Sequence, residues 1–130
     1  METEGNGVVI ASLGVDSGYV PYTAFSAKDS YLKEHADLVK RFVAALKKGV
    51  EYVETHSAEE VAEAIKGQFK DTDTKTIAKI VDRYGKQDTW KRDLVFEQDA
   101  YDLLLNILDE AGQLSERPAY EKIVTTEYVK

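Results

Sequence analysis

The chain has 130 residues, 43% hydrophobic and 32% charged, a composition that suits one folded domain and not a disordered tract. Seventeen basic residues against twenty-four acidic ones give a net charge of −7, which opposes binding to nucleic acid or anionic lipid, since both need clustered cations. Cysteine is absent, so disulfides, thiolate metal sites and cysteine nucleophiles are excluded.

No apolar run reaches membrane-spanning length, and Met1 to Gly7 lacks the basic and apolar regions of an export signal. Val8 to Leu13 is a β-branched run closed by Gly14, which predicts a strand buried on both faces. Gly14 to Gly18 reads as a turn, with glycines free to take positive φ and with Asp16 and Ser17 able to bond nearby backbone. Tyr19 to Ala27 predicts a second strand, which Pro21 confines to an edge or bulge. Two strands alone form only a marginal sheet.

Helices follow. Asp29 or Ser30 caps a short turn carrying Tyr31 and Leu32. From Asp37, the residues Val39, Phe42, Val43, Leu46, Val50 and Val53 recur at helical steps as one apolar stripe. Gly49 within that helix suggests a close helix contact or a slight bend. Ser57 and Glu60 form a capping box opening a helix to about Gln68, with Val61, Ala62 and Ile65 inward and Phe69 closing it. Asp71 to Thr74 cap a third long segment with Ile77, Ile80, Val81 and Tyr84 inward and Gly85 as its stop. Gln87 to Phe96 is a loop holding Trp90, the only tryptophan. Gln98 to Ala111 is apolar over more than one face, which predicts the most buried helix, ended by Gly112. Ser115 to Tyr128 holds Pro118 as an expected first helical residue and then a short final segment, Tyr120 to Val124. The expected fold class is thus α/β but predominantly helical: two N-terminal strands followed by four or five helices.

Motif by motif, catalysis finds no support. Asp71, Asp73 and Asp82 match three positions of a calcium loop, but Lys75 and Thr76 occupy positions needing a ligand and a glycine, so a helix cap is the better reading. His35 and His56 lie near helix ends and share no metal-ligand spacing with each other or with an acid. Ser17 is not in a nucleophile-elbow pattern, and the glycines form neither a P-loop nor a dinucleotide fingerprint. Neither a cofactor nor a metal site is expected. Tyr19 and Tyr22, beside the glycine turn, are the aromatic residues placed to stack on a small ligand.

The stretch from Gly5 to Val53, GNGVVIASLGVDSGYVPYTAFSAKDSYLKEHADLVKRFVAALKKGVEYV, resembles the second half of ABC-transporter solute-binding proteins. The type meant is that for nitrate, sulfonate, taurine and thiamine-precursor pyrimidines. Asp88-Thr89-Trp90, Tyr101 to Leu104, Ala111 to Leu114 and Tyr120 to Val124 extend the likeness to Tyr128. It implies a portion of a two-lobed periplasmic-binding-protein-like fold, with 1–18 ending lobe two, 19–27 crossing between lobes and 28–130 forming C-terminal helices of lobe one. It also implies an extracytoplasmic receptor that delivers a small polar or heteroaromatic solute to an ABC permease, with Ser17, Gly18, Tyr19 and Tyr22 on the ligand side. The N-terminal lobe of such proteins has no counterpart here, so half the cleft is expected to be missing. The uncovered helices are then expected to drive self-association, by pairing or exchanging strands. An enzyme of the same fold, making the thiamine pyrimidine, is disfavoured because that branch carries a cysteine-rich motif. A stand-alone helical interaction domain is the remaining alternative.

Overall fold

Two helices open on a side-chain cap, and the tightest packing joins those two. In the computed structural model, which describes residues 2–129, seven α-helices run in order. They are α1 Leu13–Asp16, α2 Asp29–Glu34, α3 Ala36–Thr55, α4 Ala58–Ile65, α5 Thr74–Lys86, α6 Gln98–Glu110 and α7 Tyr120–Ile123. Ser57 accepts from the Glu60 N–H at 3.2 Å while Glu60 accepts from the Ser57 N–H at 2.8 Å, so the capping box opens α4 as expected. Asp73 caps α5 by accepting from the Thr76 N–H at 3.0 Å, which gives this aspartate a helix-starting role.

These caps aim two apolar faces at each other. Val61 and Ala62 of α4 meet Ile77, Ala78 and Val81 of α5 in the buried core, with Val53, Ala58, Ile65 and Trp90 packed around it. A second, smaller buried pair sits on α6. Tyr101 and Leu105 are buried there, Tyr101 against the rings of Phe96 and Tyr120, and the Tyr101 hydroxyl donates to the Pro118 carbonyl at 2.8 Å. The C-terminal end returns to the start of the helical part, where Tyr128 donates to the Leu32 carbonyl at 3.1 Å.

The two N-terminal strands are not there. No described residue lies in a strand: the run expected as the first becomes an exposed coil entering α1, and 18–28 is irregular up to α2. The physical reason is the absence of a ladder. Val8 and Ile10 are 80% and 92% exposed, and β-branched side chains stabilise a strand only through neighbours on the pleated surface. The fold is therefore helical, not α/β.

Smaller expectations also change. The best-buried helices are α4 and α5 and not α6, on which Ile107 is exposed, because a helix apolar on several faces needs several neighbours. Ile80, Tyr84 and Phe69, expected inward or closing, are exposed. Gly49 has nothing within contact of where a Cβ would stand, so no close helix approach explains it. Pro118 precedes α7 by two residues, with Ala119 as the N-cap. No helix among the described residues is long and apolar enough to cross a membrane.

Candidate functional site

The site is built on the C-terminal end of α5. That helix runs past Gly85 to Lys86, and the left-handed residue that closes it is Asp88, with φ 54°. The Asp88 N–H donates to the Gly85 carbonyl at 3.2 Å and the Thr89 N–H to the Tyr84 carbonyl at 3.1 Å. This is the paired reverse bonding that ends many helices, usually with glycine in the left-handed place. An aspartate tolerates it better than most side chains but is still strained there. Gly112 closes α6 in the same way with φ 66°, using the usual residue.

Against this helix end lies the N-terminal segment. Ser12 Oγ donates to Gln87 Oε1 at 3.0 Å, Arg83 pairs with Glu2 at 2.8 Å, and the Tyr19 hydroxyl donates to Asp88 Oδ2 at 3.3 Å. Lys91 Nζ stands 5.6 Å from the centre of the Tyr19 ring, and Glu97 and Asp93 hold that ammonium at 3.0 and 3.4 Å. Burial and then the Asp88 charge push the Tyr19 phenol above its ordinary range, against a smaller opposing pull from Lys91. The Glu97 hydrogen bond and the neighbouring carboxylates raise Lys91, fixing it as a cation.

Behind Asp88 opens a pocket of about 330 Å³, the low end of the size range of small-molecule sites. Val50, Val53, Val81 and Trp90 give it apolar walls, and Glu54, Asp82, Lys86, Asp88 and Arg92 stand on its rim. Tyr84 meets Trp90 edge to face at 6.1 Å and helps hold the indole in place. His56 closes one side, stacked on Tyr52 at 3.7 Å and bonded through Nδ1 to the Tyr52 carbonyl at 2.9 Å. No titratable pair here has the geometry of an acid–base or nucleophilic couple.

The four residues expected to face a ligand are placed differently from one another. Ser17 caps α1 and spends its hydroxyl on the Leu13 carbonyl at 2.5 Å. Gly18 has φ 80°, and a Cβ there would stand 3.3 Å from Leu103 Cδ2, so the turn is pressed onto α6. Tyr19 reaches Asp88 and Lys91, whereas Tyr22 is 98% exposed. Asp88 and Arg92 were not anticipated from the sequence. The available signal was that Gly85 stands too early to close an α5 whose basic last turn runs on through Lys86.

Residues 3–60 match the protein family described as NMT1/THI5 like. Over 126 residues the chain is 40% identical to a protein of Bacillus subtilis (strain 168) named "Putative binding protein YtlA". That alignment takes in 97% of this chain and 38% of the relative, so the chain spans well under half of the relative's length. No solved structure matches it significantly.

Proposed function

We propose, from the match of residues 3–60 to the NMT1/THI5-like family and the likeness to a relative named as a binding protein, that the chain is part of a solute receptor serving an ABC importer. The observation that carries this reading is the 40% identity that runs through nearly the entire chain to a protein named for binding. In this reading the surface joining Tyr19 to the Asp88 end of α5 is one wall of the solute site. Ser17 and Gly18 set the turn that presents Tyr19, and Tyr22 extends toward the opposite wall. The solute is a small polar or heteroaromatic molecule of the thiamine-precursor pyrimidine, sulfonate or nitrate type. The receptor works outside the cytoplasm.

Val8, Ile10, Leu13, Tyr22 and Phe25, all in the N-terminal segment, are each at least 77% exposed, and large exposed apolar side chains of this kind are a usual sign of a surface that meets other polypeptide. In the longer protein that surface packs on polypeptide corresponding to the remainder of the relative. Alone, the chain self-associates through it, without any exchange of strands. Light scattering tests this part: concentration-dependent dimers or larger species are expected, and a monomer with a cooperative melt contradicts it.

A thermal-shift panel of thiamine-precursor pyrimidines, sulfonates and nitrate tests the solute reading. The expected result is a shift with one class, larger in the Bacillus subtilis relative than in this chain. A shift in neither protein overturns the solute classes named.

A further inference from the structure

The pocket behind Asp88 carries an excess negative charge. Three carboxylates stand on its rim, Glu54, Asp82 and Asp88, against two permanent cations, Lys86 and Arg92. The cations are committed: Lys86 Nζ holds Asp82 at 2.7 Å, and Arg92 Nε holds Glu54 at 2.8 Å. Among the described residues, Asp88 has only the long bond from Tyr19 at 3.3 Å and Arg92 Nε at the 4.0 Å limit of pairing. The C-terminal end of α5, the negative end of the helix dipole, reaches the same rim through Gly85 and Lys86.

The same pocket is lined by Val50, Val53, Val81 and Trp90, a surface that takes an apolar or planar body. An indole face also attracts a cation electrostatically. An aspartate in a left-handed position that glycine would occupy without strain is the kind of conformation that persists at ligand sites. Charge, shape and strain converge on one ligand chemistry.

We propose that this pocket binds a small organic monocation, an apolar or aromatic body bearing one protonated amine or amidine, with Asp88 as its counter-ion and Trp90 as its stacking face. Asp88 is then the residue that selects charge, and the Tyr19 hydroxyl positions its carboxylate. The pocket shares Asp88, and through its hydrogen bond Tyr19, with the wall assigned to the solute, but its test compares a cation with its neutral isostere and so is read separately from the solute panel.

Trp90 is the only tryptophan, so its emission reports the pocket directly. Benzamidinium, with neutral benzamide as its isostere, is titrated into the wild-type chain, Asp88→Gly and Asp88→Asn. Glycine retains the helix ending and asparagine retains the side-chain volume, while both remove the charge; circular dichroism verifies the helical content of each. The expected result is a saturable change with benzamidinium, weakened about tenfold by either substitution and by the neutral isostere. No saturable response to benzamidinium, an equal response to benzamide, or unchanged affinity in a folded Asp88 variant overturns the proposal. The last two outcomes would mean that apolar contact or the diffuse charge of the chain governs binding.

Discussion

The Tyr19 hydroxyl donates to Asp88 Oδ2 at 3.3 Å, joining residues 69 positions apart in sequence. One partner belongs to the glycine turn after α1 and the other to the strained end of α5. This bond connects the aromatic residue nominated by the sequence to a carboxylate found only in the folded chain.

Replacing Asp88 with asparagine removes the negative charge that disfavours ionised Tyr19. The Tyr19 pKa is therefore expected to fall in Asp88→Asn. Tyrosine ring-carbon NMR against pH measures it. An unchanged Tyr19 titration would mean that the two groups do not interact in solution.

The two left-handed positions flanking this bond predict opposite effects. Gly18→Ala forces a side chain into φ 80° and toward Leu103, and should cost roughly 1–2 kcal/mol. Asp88→Gly relieves strain at φ 54° and should add up to about 1 kcal/mol. Urea unfolding of both variants decides, and a change of the same sign in the two would contradict the assigned helix ending.

The α4–α5 pair supplies most of the buried core, so its loss should unfold the chain as a unit. Ile77→Ala, at a residue 3% exposed, is expected to cost about 2–4 kcal/mol. Ser57→Ala should cost about 1 kcal/mol by removing one arm of the capping box. Ile107→Ala, on the exposed side of α6, should cost under about 0.5 kcal/mol. Chemical denaturation ranks the three, and an Ile107 effect matching that of Ile77 would place the core elsewhere.

Acid should destabilise the same pair. The Glu60 carboxyl is held below its ordinary range by the Ser57 N–H and then its hydroxyl, and Asp73 by the Thr76 hydroxyl and then its N–H. Folded values below unfolded ones mean that the unfolded chain takes up protons first as pH falls. The stability from these caps is present above about pH 4 and is lost as pH drops through the lower folded values. Thermal melts from pH 7 to pH 2 should show this loss, with a shallower acid limb in Glu60→Gln and Asp73→Asn. Identical acid limbs in wild type and variants would contradict the cap assignment.

The helical half of the fold was legible because its signals are local. Ser57, Glu60 and Asp73 announce helix starts from a few residues, and Gly112 announces an end. The irregular course of the N-terminal part was not legible, because Val8 to Leu13 and Tyr19 to Ala27 carry strand-like side chains whose conformation depends on ladder partners outside the segment. For the candidate site, Tyr19 and Gly18 could be nominated from the turn chemistry. Asp88 could not, since its importance arises from where α5 stops and from a contact 69 residues away. Trp90 was visible as the lone tryptophan, but its place as a pocket wall depends on residues from α3 and from the end of α5 reaching the same pocket.

The central claim is that the surface joining Tyr19 to the end of α5 holds a small solute. Calorimetric titration of thiamine-precursor pyrimidines, sulfonates and nitrate into the chain and its Tyr19→Ala variant tests that claim most directly. The account predicts saturable heat from one class, with affinity reduced about tenfold or more by Tyr19→Ala. Saturable heat from none of them, or the same isotherm in both folded proteins, would contradict it.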